Sequence, residues 1–89
     1  MDGDIQSSVE ALNSDLDIAA AFMSIAEVAN DRRRAHSAFK AAVKHYNDVT
    51  QRLVNMLGTM NAADVDTCRD KITTLELRLK RFEKRWSST

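Results

Sequence analysis

The sequence predicts an all-α fold, an antiparallel three-helix bundle in which a short first helix meets two long helices forming a hairpin. Three observations carry this. Proline is absent and glycine occurs only twice in 89 residues, so the turn punctuation that a β-sandwich or barrel needs is missing. Apolar residues recur at alternating spacings of three and four, the period of one helix face. A hydrophobic content of 44% with equal numbers of acidic and basic residues argues against disorder.

Residues 1–13 hold Ile5, Val9 and Leu12 at helical spacing, with a capping pair at Ser7 and Glu10, and are expected as a flexible or frayed extension. The domain proper is expected over 14–89. The first helix is expected over 15–29, opened by a capping box of Ser14 and Asp17. Leu16, Ala19, Met23 and Ala26 form one stripe; Ile18, Phe22, Ile25 and Ala29 form a second.

The first stripe would continue through 30, 33 and 37, which are Asn30, Arg33 and Ser37. The next stripe restarts out of phase at Ala35 and Phe39. This predicts a turn capped by Asn30 or Asp31. The rival is one unbroken helix that carries Arg32 and His36 on its seam, which is expensive without partners.

The second helix is expected over 32–57, on Ala35, Phe39, Ala42, Tyr46, Val49, Leu53 and Met56, with Gly58 as a left-handed terminal cap. The third, over 62–86, follows Val65, Cys68, Ile72, Leu75, Leu79, Phe82 and Trp86. Asn61 and Asp64 stand at capping positions, and Met60 and Val65 where a hydrophobic staple closes. The expected core is Leu16, Met23 or Phe22, Phe39, Val43, Tyr46, Leu53, Ile72, Leu75, Leu79 and Phe82.

Charge is balanced overall but not along the chain. Residues 1–31 carry seven acids and no Lys or Arg; residues 32–89 carry six acids and all thirteen basic residues. An acidic segment paired internally on a basic one would produce this, as would two separate interaction faces. A general affinity for nucleic acid or anionic membrane is not expected.

A short helix, a turn and two long helices resemble the microtubule-interacting and transport (MIT) domain, on Ala26, Asn30 and the Ala38-Phe39 pair over roughly 15–86. Asn30 and Ala42 stand where that pattern has an aspartate and an aromatic. Ala35, Phe39 and Ala42 also resemble a tetratricopeptide unit, although Met23, Ala26 and Asn47 replace its glycine, tyrosine and proline. Either resemblance implies a three-helix fold that binds a peptide in an inter-helix groove.

Catalytic chemistry finds little support. His36 and His45 are nine residues apart, so they do not share a face as a metal pair at i, i+4 would. Cys68 lies on an apolar stripe and is expected to be a buried small hydrophobe. Asp64 and Asp66 sit at a helix start, where capping explains them. No glycine-rich phosphate loop exists. The chain is therefore expected not to be an enzyme, and no cofactor, metal or small-molecule substrate is implied.

Two surfaces are singled out. The first helix is apolar on more of its girth than two neighbours cover, so Ile18, Phe22 and Ile25 are a candidate partner-binding patch. In an antiparallel hairpin Arg32, Arg33 and Arg34 approach Lys80, Arg81, Lys84 and Arg85, a candidate site for an anion or acidic partner; Glu83, Glu27 and Asp31 are the acids that would offset them.

The expected function is a non-catalytic protein–protein interaction module that binds a helix or peptide in an inter-helix groove. The alternatives are a structural homo-oligomer with helix one as the seam, and a small nucleic-acid-binding protein using its basic end. Nucleic acid is disfavoured because no aromatic platform is interleaved with the basic residues. Met1-Asp2-Gly3-Asp4 lacks the pattern of a secretory signal, no apolar run spans a bilayer, and a cytoplasmic location is expected.

Overall fold

A computed structural model describes the backbone of residues 2–87 and the side chains of residues 8–86. It contains three helices: α1 (Asp2–Val28), α2 (Arg32–Met56) and α3 (Ala62–Ser87). They lie along one long axis in a bundle of 49 × 17 × 16 Å.

α1 is longer than its sequence suggested, at 27 residues against 25 and 26 for the other two. No break occurs at Ser14. Asp17 does not cap a helix start but reaches Lys71 of α3, and residues 2–13, expected as a frayed extension, continue the helix. Val9 and Leu12 explain why: both are buried, Leu12 completely, so packing rewards the extra turns. Met1, Ser88, Thr89 and the side chains of Ile5 and Ser7 lie outside the described residues.

The chain reverses at Ala29–Asp31, where the apolar stripe changes phase, so the unbroken helix does not form. Asp31 is the N-cap of α2. Its backbone is extended and its Oδ1 accepts from the Arg33 N–H at 3.1 Å, satisfying one orphan donor of the first turn.

The α2–α3 connection departs from expectation at Gly58, which does not take a left-handed conformation. The end of α2 is closed another way. The Met56 carbonyl accepts from the Thr59 N–H at 2.9 Å, the Met60 N–H at 3.2 Å and the Thr59 hydroxyl at 2.9 Å. With that carbonyl satisfied locally, a Schellman-type turn is not needed. α3 then opens as expected, with the Asp64 N–H donating to Asn61 Oδ1 at 2.8 Å.

The core runs along α1: Val9, Leu12, Leu16, Ala19, Met23 and Ala26 are all buried. Ala35, Ala38, Ala42, Val49 and Leu53 face it from α2, and Cys68, Leu75, Leu79 and Phe82 from α3. Among the described side chains no buried residue is polar or charged. α1 packs most extensively on α2, while α2 and α3, expected as the intimate pair, touch least. Alanine on both sides of the α1–α2 contact lets the backbones approach closely. Between α2 and α3 the large rings of Phe39 and Phe82, stacked at 4.6 Å, hold the axes apart. Phe39, Val43, Tyr46 and Ile72, expected in the core, are therefore half-buried along that wider joint.

Candidate interaction surface

The uneven charge along the chain resolves into cross-helix pairing. Every inter-helix ion pair among the described residues joins an acid of α1 to a base of α2 or α3. Asp15 pairs with Arg52, which also bonds Asp48 at 3.1 Å. Asp17 pairs with Lys71 at 3.1 Å. Glu27 receives Arg78 on both oxygens, Nη2 at 2.7 Å and Nε at 3.0 Å, while Arg78 Nη2 also donates to Ser24 Oγ at 3.1 Å. This hydrogen bonding holds the Glu27 carboxyl below its usual value, outweighing the opposing effect of partial burial.

Of the acids expected to offset the α2 arginines, Glu83 lines a hollow beside Arg32, and the other two are already engaged. Glu27 is taken by Arg78, and Asp31 is engaged as the α2 cap. Arg32, Arg33 and Arg34 are exposed, and among the described residues none of them enters an ion pair.

The seven basic residues do not form one patch. Arg32 turns toward α3 and lines a hollow with His36, Phe39, Phe82, Glu83 and Trp86, as the antiparallel tip requires. Arg33 and Arg34 open onto the other flank of α2. Arg81 lies close enough to Glu27 to lower its pKa. Arg85 reaches the Glu27 backbone carbonyl at 3.4 Å and stands over the Trp86 ring at 5.8 Å. Lys80 pairs with Glu76 at 3.4 Å, one turn back, and Lys84 is exposed.

Arg33 and Arg34 instead meet the apolar residues of α1. With Phe22, Ile25, Asp31, Ser37, Ala38 and Ala41 they line a groove between α1 and α2. It continues around the reversal, where Arg34, Asp31 and Ile25 are joined by Val28, Ala29 and Asn30. Ile18 is 42% exposed, Ile25 46% and Val28 78%, although each is a large apolar residue. Phe22 is half-buried, stacked on His45 of α2 with centroids 5.7 Å apart.

No protein-family model, curated protein or solved structure matches the chain.

Several of the remaining polar groups are taken up in packing. His36 meets the edge of Phe82 at 5.8 Å, and His45 lies on Phe22, so both serve as aromatic packing partners. Among the described residues no group of His, Cys, Asp and Glu is placed to hold a metal ion, and no helix is long and apolar enough to cross a membrane. Cys68 is fully buried, and burial pushes its thiol pKa up, which disfavours the nucleophilic thiolate.

Sequence reasoning found Ile18, Phe22 and Ile25 but missed Val28, which falls in neither of the two stripes read along the helix. It also missed Ala11, Ser14 and Ala21, which are exposed on the same side of α1. Their signal is a spacing of three and four shared with Ile18 and Ile25, masked because alanine and serine do not stand out as apolar.

Proposed function

We propose that the chain is a non-catalytic protein–protein interaction module that docks an amphipathic helix or peptide beside α1, with Arg33 and Arg34 selecting acidic partners. The observation that carries this reading is the juxtaposition of exposed Ile25 and Val28 with Arg33 and Arg34, two guanidinium groups beside one carboxylate, Asp31, and in no ion pair among the described residues. An apolar strip supplies affinity through burial, and the adjacent exposed guanidinium groups supply orientation and a faster encounter with an acidic ligand.

The test is titration of the labelled chain with an amphipathic peptide bearing Glu beside Leu anchors, followed by backbone amide shifts. Shifts at Phe22–Arg34 that weaken in Arg33→Glu/Arg34→Glu, and with added salt, support the reading. Equal response to a Lys-bearing peptide would contradict it. Retardation of a nucleic acid at low salt, abolished by the same double substitution, would favour the nucleic-acid alternative instead.

A further inference from the structure

α1 carries two heptad seams, offset by two residues. Val9, Leu12, Leu16, Ala19, Met23 and Ala26 are spaced alternately by three and four and are buried in the bundle. Ala11, Ser14, Ile18, Ala21, Ile25 and Val28 repeat the same spacing and are all exposed. This outer seam has no charged residue and runs roughly 26 Å along the helix at 1.5 Å per residue. Alternating three–four spacing is the geometry by which one helix packs knobs-into-holes on another. A single bundle uses only one such seam.

We infer that the outer seam is an isologous dimer interface, in which α1 packs antiparallel on α1 of a second copy. The inference rests on the helix-docking reading and names the helix. The residue sizes argue for it. Centring an antiparallel pair between Ile18 and Ala21 sets Ala11 opposite Val28, Ser14 opposite Ile25 and Ile18 opposite Ala21 of the second copy. Each layer joins one small and one branched side chain, so the two surfaces interlock at close approach. In the parallel arrangement, each residue would meet its own copy, leaving empty layers at Ala11, Ser14 and Ala21 and crowded ones at Ile18, Ile25 and Val28.

Charge selects the same direction. Asp15 and Asp17 are already held by Arg52 and Lys71, but Glu10, exposed beside Ala11 at the N-terminal end of the seam, enters no ion pair among the described residues. Arg34 lines the hollow at the other end with Ile25, Val28 and Asp31, whose carboxylate caps α2. Antiparallel packing brings Glu10 toward Arg34 of the other copy, whereas parallel packing sets like against like. A two-fold axis across α1 satisfies size and charge together.

The experiment is sedimentation equilibrium of the full chain from about 10 µM to about 1 mM, a range that brackets weak homodimers. The expected result is a mass rising from 10.0 kDa toward twice that value, with Ile25→Glu weakening association by more than about tenfold while helicity by circular dichroism is unchanged. A mass that stays monomeric throughout, or a dimer that survives Ile18→Glu/Ile25→Glu, overturns the inference. Disulfide trapping reads direction without relying on those variants. Mixing a Ser14→Cys chain with an Ile25→Cys chain is expected to give the mixed dimer. A prevailing Ser14→Cys homodimer overturns the antiparallel arrangement. A monomeric chain that still binds the Glu-bearing peptide would sink the dimer and spare the docking module; one that binds no such peptide would end both.

Discussion

Phe22 of α1 stacks on His45 of α2, the two ring planes within 16° of parallel. Seven residues back along α1 and seven forward along α2, Asp15 meets Arg52. Two cross-helix contacts one heptad apart lock a single antiparallel register, because a slip of one residue would break both. Replacing Phe22 with Ala removes a half-buried ring and the stack, and is expected to cost about 1–3 kcal/mol. Denaturant unfolding checks this; an unchanged midpoint would show that the stack contributes nothing to register.

Leu12 tests how far the bundle extends. It is completely buried, four turns before the α1 C-terminus. Leu12→Ala should destabilise the whole domain by about 2–5 kcal/mol. A frayed extension would tolerate the change with a shift of under about 0.5 kcal/mol.

Asp31→Ala removes the carboxylate that accepts from the Arg33 N–H. The expected loss is about 1 kcal/mol, seen as a lower melting temperature with unchanged peptide contacts at Ile25. Asp31→Asn preserves the acceptor and should recover most of the loss.

The Glu27–Arg78 pair predicts acid sensitivity. The folded pKa of Glu27 lies below its ordinary 4.5, the direction set first by the Arg78 hydrogen bonds. Its contribution is therefore present above the unfolded value and fades as pH falls through the folded one. Solvent reaches both side chains, so the effect is expected to be under about 1 kcal/mol. Urea midpoints of the wild type and Glu27→Gln should converge as pH drops from 7 to 3; a constant gap would mean that the ionised carboxylate is not the stabilising form.

Cys68 should resist thiol reagents in the native state and react at a rate that tracks global unfolding, because it is buried in the core of α3. Rapid labelling without denaturant would contradict its burial. Leu75→Asp, which puts an unpaired charge at a buried position, should unfold the chain outright.

The reversal at Asn30–Asp31 was legible because the apolar stripe changes phase there and two capping residues sit at the break. α2 and α3 ended within a residue of expectation for similar reasons. The N-terminal half of α1 was not legible, since its Ser, Asp and Asn residues read as helix starts and only tertiary burial of Val9 and Leu12 shows that the helix runs through them. Gly58 looked like a left-handed cap because sequence cannot show that Thr59 supplies the missing donors. Of the candidate surface, Ile18 and Ile25 were visible as an excess of apolar residues on one helix. The separation of Arg32 from Arg33 and Arg34 onto opposite flanks of α2 emerged only from packing, as did the commitment of Glu27 to Arg78.

The most direct test is the distance between nitroxide labels at Ser14→Cys and Gln51→Cys, both exposed, measured by pulsed electron resonance in a Cys68→Ala chain diluted with unlabelled protein. A chain folded back at Asn30, with Asp15 against Arg52, predicts a separation below about 25 Å, two adjacent helices plus the label arms. A distance near 55 Å, which is roughly 37 residues of straight helix at 1.5 Å each, would contradict the fold and the surface built on it.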